Sequence, residues 1–180
     1  FLAFSSIAQA GFILLGVIAG TQMGYATVVY FALIYIFSNL AAFGVVSVIS
    51  DQTGLEKMDD YNGLYRTNPN LSLIMMLAMF SLAGIPPVAG FFGKFFLFTA
   101  AAEKGYYLLV FIAVVNTIIS LYYYLLPIRA MFIEKNENPI AKIKTDYYGK
   151  IALVLCVLGI FATGLASVVW EYILSVSFGI

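Results

Sequence analysis

The sequence has no histidine and one cysteine, Cys156, and each scarcity excludes chemistry. Without histidine there is no Ser/His/Asp triad, and the usual zinc and haem ligation is gone, with no Cys/His cluster in its place. A lone cysteine cannot form an internal disulfide. Charge is also short: Asp, Glu, Lys and Arg make up 10% of the 180 residues, against about 25% in ordinary soluble domains. Nine basic and nine acidic residues cancel, which gives no reason to expect a nucleic-acid partner. No glycine-rich nucleotide loop follows a strand-like run. The chain lacks an initial Met and shows neither the basic start nor the cleavage site of a signal peptide, so it is expected to be a fragment of a longer protein.

What remains is apolar. Hydrophobic residues make up 63% of the chain, and the mean hydropathy is +0.99. Phe1 to Ser50 carries no charged residue, nor do Thr67 to Gly93, Gly105 to Ile128 or Ile151 to Trp170. A bilayer-spanning helix needs about 20 apolar residues. The continuous runs suit helices rather than the alternating strands of a membrane barrel. The sequence therefore predicts an all-α, polytopic transmembrane bundle of about six helices forming a single transmembrane domain over residues 1–180. Their expected ranges are Leu2–Ala19, Tyr25–Ser50, Leu71–Gly84, Pro87–Ala102, Tyr106–Phe132 and Ile151–Phe178.

If these six spans simply alternate, the two polar loops fall on opposite sides. Arg129, Lys135, Lys142, Lys144 and Lys150 then lie on one side, and Lys57, Arg66 and Lys104 on the other. The excess of Lys and Arg puts the loop after Phe132 in the cytoplasm and the C-terminus outside.

Lys94 stands out. It sits in Gly90-Phe91-Phe92-Gly93-Lys94-Phe95-Phe96, seven residues past Pro87, or about 10 Å along a helix. Inserting a lysine at membrane depth costs about 3 kcal/mol, so such residues face a bundle interior or mark a pathway unless they snorkel to the surface. The preceding Ala83-Gly84-Ile85-Pro86-Pro87 breaks the helix, and short Gly/Pro-interrupted spans point to ion sites in transporters. An amine there is a titratable group able to load and release a proton. Uncharged polar residues recur in other spans: Ser5, Ser6 and Gln9; Tyr35, Ser38 and Asn39; Asn116, Thr117 and Ser120. Ser5 and Gln9 share a helical face, as do Asn116 and Ser120. Each can serve as an ordinary interhelical hydrogen bond. With Lys94 they can line a hydrated polar path. Tyr122-Tyr123-Tyr124, followed by Arg129, has the composition of an interfacial aromatic belt.

Several stretches resemble the antiporter-like subunits of respiratory complex I, the proton-pumping NADH–quinone oxidoreductase. They are Leu2–Phe12 (LAFSSIAQAGF), Tyr35–Val45 (YIFSNLAAFGV), Ser81–Lys94 (SLAGIPPVAGFFGK) and Ser120–Leu125 (SLYYYL). Together with Asp60-Tyr61-Asn62-Gly63-Leu64, they most resemble the subunit N group, whose mitochondrial counterpart is subunit 2. The resemblance implies a bacterial inner-membrane location and a larger subunit of which this chain is the C-terminal part. It also implies an inverted-repeat fold with a broken helix in each repeat. Lys94 matches the key lysine of the second broken helix. Asn39 falls where sister subunits carry a central lysine, and Tyr35 where one carries a histidine. Partners would be the other membrane-arm subunits, the lipid bilayer, protons and water. NADH, FMN, iron–sulfur clusters and quinone would belong elsewhere in the complex, with no cofactor in this chain. Two rivals remain: a subunit of a multisubunit cation/proton antiporter, and a non-conducting structural membrane subunit.

Overall fold

Local chemistry sets most helix ends. Thr21 caps the second helix by accepting a hydrogen bond from Gly24 N at 2.9 Å, and Pro69 stands at the first position of the third. The computed structural model describes residues 1–165 and 167–176. Among these residues it contains α1 (Leu2–Ala19), α2 (Gln22–Thr53), α3 (Pro69–Ala83), α4 (Ala89–Glu103), α5 (Tyr107–Phe132), α6 (Tyr147–Leu165) and α7 (Ser167–Ser175). Two short 3₁₀ turns, Met58–Tyr61 and Leu64–Arg66, occupy the loop between α2 and α3.

The expected helix ranges hold to within a few residues, except at the C-terminal end. There the single run Ile151–Phe178 resolves into α6 and α7, and Ala166 and Phe178 lie outside the described residues. α1, α2, α5 and α6 are long and apolar enough to cross a membrane.

The layout of crossings differs from simple alternation. Both polar loops lie at one end of the bundle. The Gln52 side chain at the end of α2 donates to Lys144 O at 3.0 Å and accepts from Lys144 N. Asn68, just before α3, donates to Ala141 O at 3.1 Å and accepts from Ile143 N at 2.8 Å. Gly63 N donates to Ala130 O near the end of α5. Since α3 starts at this end and α5 finishes there, α3 and α4 together make one crossing in one direction. Each has 15 residues, about 22 Å of helix, too short alone for a core about 30 Å thick. The Gly84–Val88 link is therefore a break within one span. The opposite end holds the tight turns at Gly20–Thr21 and Lys104–Tyr106. Lys57, Arg66, Arg129, Lys135, Lys142, Lys144 and Lys150 all gather at the loop-bearing end, and Lys104 alone lies at the other. This replaces the five-to-three division expected from six alternating spans.

α2 runs through the centre against α1, α3, α4 and α6. Its buried face carries small residues, Ala26, Ala41 and Ala42, which allow neighbouring helices to approach closely. The Tyr run divides as well. Successive helical residues point about 100° apart, so Tyr122 and Tyr123 face outward while Tyr124 is buried in the bundle. Only the first two fit an aromatic belt.

Candidate functional site

A broken helix leaves four carbonyls at the end of its first half without helical partners, a severe cost where no water reaches. At the end of α3 each is satisfied. Gly84, at φ 83°, turns the chain so that its N–H donates to Phe80 O and Ser81 O, and Ile85 N also donates to Phe80 O. Leu82 O and Ala83 O accept from Lys94 Nζ at 2.8 and 3.1 Å. The amine reaches them because α4 starts alongside the last turn of α3. Gly90 makes that overlap possible, since a Cβ there would run into the Ser81 carbonyl.

Lys94 is 3% exposed. It does not snorkel, and its amine also sits 4.6 Å from the centre of the Phe12 ring. Among the described residues no carboxylate pairs with it. An ammonium here is held by the negative end of the α3 dipole. Hydrogen bonds to a charged group contribute about 1.5–3 kcal/mol each, and a desolvated cation–π contact about 2 kcal/mol. Together they offset a burial cost of several kcal/mol.

Polar side chains continue from this point. Gln9 Nε2, from α1, donates to Leu82 O at 2.9 Å and to the Tyr124 hydroxyl at 2.7 Å. The Tyr124 hydroxyl in turn meets Ser5 Oγ at 2.6 Å. The network thus runs from the helix break toward the loop-bearing end. Gln9 Oε1 is buried without a partner among the described residues, an acceptor beside the amine's ligand. A separate polar pair joins Ser38 Oγ on α2 to Ser81 Oγ at 2.7 Å. The arrangement holds an amine at the helix break and places hydroxyls, which can both donate and accept hydrogen bonds, along one direction from it.

Of the residues singled out in the sequence, Lys94 and Gln9 meet at the Leu82 carbonyl, and Ser5 joins them through Tyr124. Ser6 turns back to Leu2 O on its own helix. Asn116 is exposed on the outer face of α5, Ser120 donates to its carbonyl, and neither is bonded to Lys94; the residue of α5 that joins the network is Tyr124. Thr117 likewise bonds within its helix. Tyr35 and Asn39 are half-buried on α2 and not bonded to Lys94, and Asn39 Oδ1 is buried without a partner among the described residues. Sequence reasoning missed Tyr124, Phe12 and the Leu82 and Ala83 carbonyls. The shared face of Ser5 and Gln9 was the one signal that could have called for a polar partner opposite.

A further orphan lies outside the spans. The Tyr61 hydroxyl is buried without a partner among the described residues, and burial, helped by the Glu56 and Asp60 carboxylates, pushes its pKa up to about 12.

Residues 1–120 match the family described as NADH:quinone oxidoreductase/Mrp antiporter, TM. The whole chain aligns at 57% identity with the NADH-quinone oxidoreductase subunit N of Azobacteroides pseudotrichonymphae genomovar. CFP2, covering 38% of that protein. Against the subunit N of Phocaeicola vulgatus the identity is 58% over 95% of this chain and 36% of the relative. The chain therefore spans little more than a third of the length of these relatives. Among solved structures, a chain of respiratory complex I from Thermus thermophilus with bound aureothin superimposes with a TM-score of 0.75 at 32% identity, over 94% of this chain and 38% of that one. A chain of the Mrp complex from Dietzia sp. DQ12-45-1b gives a TM-score of 0.85 over 96% of this chain and 41% of that one; at 22% identity it shows the fold alone. The chain belongs to the NADH:quinone oxidoreductase/Mrp antiporter transmembrane family.

Proposed function

We propose that this chain is the C-terminal part of a proton-translocating membrane subunit of NADH–quinone oxidoreductase, forming one transmembrane domain, with Lys94 as the group that loads and releases the proton. The observation that carries this reading is the Lys94 amine on the open carbonyls of a helix broken at mid-membrane. Pure scaffolding has no use for so costly a group. Gln9, Tyr124 and Ser5 form the way out toward the loop-bearing end, while Tyr35, Asn39, Asn116, Ser120 and Ser6 lie off this route. The seven Lys and Arg residues at that end make it the cytoplasmic face of a bacterial inner membrane. NADH, FMN, iron–sulfur clusters and quinone act in other subunits, and the other membrane-arm subunits are the partners.

The test is proton translocation per NADH oxidised in vesicles holding the intact oxidoreductase with the full-length subunit. Lys94→Ala lowers it while assembly is kept. Lys94→Arg does not restore it, because arginine stays protonated in proteins. Lys94→Glu keeps a titratable group and retains part of the function. Normal pumping by both Lys94→Ala and Lys94→Arg overturns the assignment.

The family description, which names the Mrp antiporter beside the oxidoreductase, favours a second reading, a subunit of a cation/proton antiporter. It is distinguished by a sodium-dependent pH gradient formed in vesicles without NADH.

A further inference from the structure

A groove of about 1270 Å³ opens between α3 and α6 at the loop-bearing end. Its upper rim carries four cations: Arg66 ahead of α3, Lys142 and Lys144 in the loop before α6, and Lys150 in its first turn. All four are exposed, and none has a carboxylate within ion-pair distance among the described residues. No acidic residue lines the groove; the nearest in sequence, Asp146, accepts a hydrogen bond from Gly149 N. Below the rim the walls become wholly apolar, with Leu73 and Ile74 on α3 facing Val154, Val157 and Leu158 on α6.

The cationic loop has no regular secondary structure, yet its backbone is held in place. Asn68 binds Ala141 and Ile143, and Gln52 binds both the N–H and the carbonyl of Lys144. Lys142 and Lys144 are thus presented over the groove by two side-chain amides from neighbouring elements. Tyr147 and Tyr148 stand exposed at the start of α6, at the same level as the cations, as tyrosines do at the headgroup depth of a bilayer. Positive charge at headgroup level above an apolar slot is the complement of an anionic lipid.

We infer that this groove is a binding site for an anionic glycerophospholipid, with its phosphate among Arg66, Lys142, Lys144 and Lys150 and an acyl chain along α3 and α6. The site is separate from the Lys94 network and does not depend on proton translocation.

The intact complex with the full-length subunit is incubated with phosphatidylglycerol bearing a photoreactive group on one acyl chain, and with phosphatidylcholine bearing the same chain. Phosphatidylglycerol labels α6 between Leu153 and Leu158, and phosphatidylcholine labels it far less. Lys142→Gln with Lys144→Gln lowers the labelling about tenfold or more, since each juxtamembrane cation contributes separately to attraction for anionic lipid. Lys135→Gln, in the same loop but outside the groove, changes nothing. Equal labelling by the two lipids, or undiminished labelling of the double variant, overturns the proposal. If the double variant fails to assemble, a photoreactive amino acid at Val157 tests the charge-intact complex. A phospholipid adduct there supports the site, whereas an adduct to another polypeptide or to another segment of the subunit shows a protein interface and overturns it.

Discussion

Replacing Gln9 by glutamate tests whether the charge on Lys94 is what moves. Gln9 Nε2 and Lys94 Nζ hydrogen-bond the same Leu82 carbonyl at 2.9 and 2.8 Å, so a carboxylate at position 9 comes to lie about 5 Å from the amine. At that distance and an effective dielectric near 20, the new pair attracts by about 3 kcal/mol. A site that must surrender its proton in every cycle then does so about a hundredfold more slowly. Gln9→Leu is the comparison, because it removes the amide without adding charge. Leu82 O keeps Lys94 as a donor, Tyr124 keeps Ser5, and the partnerless Oε1 disappears. Two interhelical bonds worth about 0.6 kcal/mol each are lost, against relief of about 1–3 kcal/mol from the orphan acceptor. Stability should change little. The assay is dye-monitored proton uptake by vesicles during NADH oxidation, with assembly followed on native gels. Gln9→Glu should assemble, oxidise NADH and pump poorly. Wild-type pumping by an assembled Gln9→Glu complex would refute titration of Lys94 as the transport step.

Gly90→Ala should prevent assembly of the subunit, because its Cβ meets the Ser81 backbone carbonyl and neither side can yield without moving a helix; overpacking costs of about 1–3 kcal/mol are then a lower bound. Gly11→Ala, with open space around the added methyl, should leave native-gel assembly unchanged. Tyr61 should ionise near pH 12, and Tyr61→Phe should remove that component from the ultraviolet tyrosinate titration. Its folded pKa lies above the unfolded value of about 10, so the associated stability is complete below pH 10. That stability is lost as pH rises from 10 to 12, by about 2 kcal/mol. A normal tyrosine titration with no high-pH component would contradict this environment.

Much of the fold was legible because apolar runs, glycines and prolines act locally. Their positions place α1 through α5 and flag the Gly84–Pro87 break and Lys94. Ser5 and Gln9 could be assigned to one face from helical spacing alone. Tyr124 could not, because three consecutive tyrosines differ only in the direction in which the helix turns them, and nothing in the run itself says which direction is inward. Asn116 fails for the same reason: its polarity suggested an inner position, but the face of α5 that carries it is turned outward.

Sequence by itself determined a helical membrane bundle, a lysine at membrane depth and a broken segment before it. Hydropathy is a property of each stretch of chain, and a charge in an apolar run is costly wherever the run packs. Only the tertiary structure decided how many times the chain crosses and which loops share an end. Two 15-residue helices joined by a Gly/Pro link have the same local sequence whether they fold back as a hairpin or continue as one interrupted span. The choice rests on contacts between distant residues. Asn68 and Gln52 hold the second loop beside the first, Gly90 lies against Ser81, and Lys94 closes the carbonyls that the break leaves open. In an environment without water those carbonyls must find donors, and the in-line arrangement, with α4 overlapping the end of α3, brings the Lys94 amine to them.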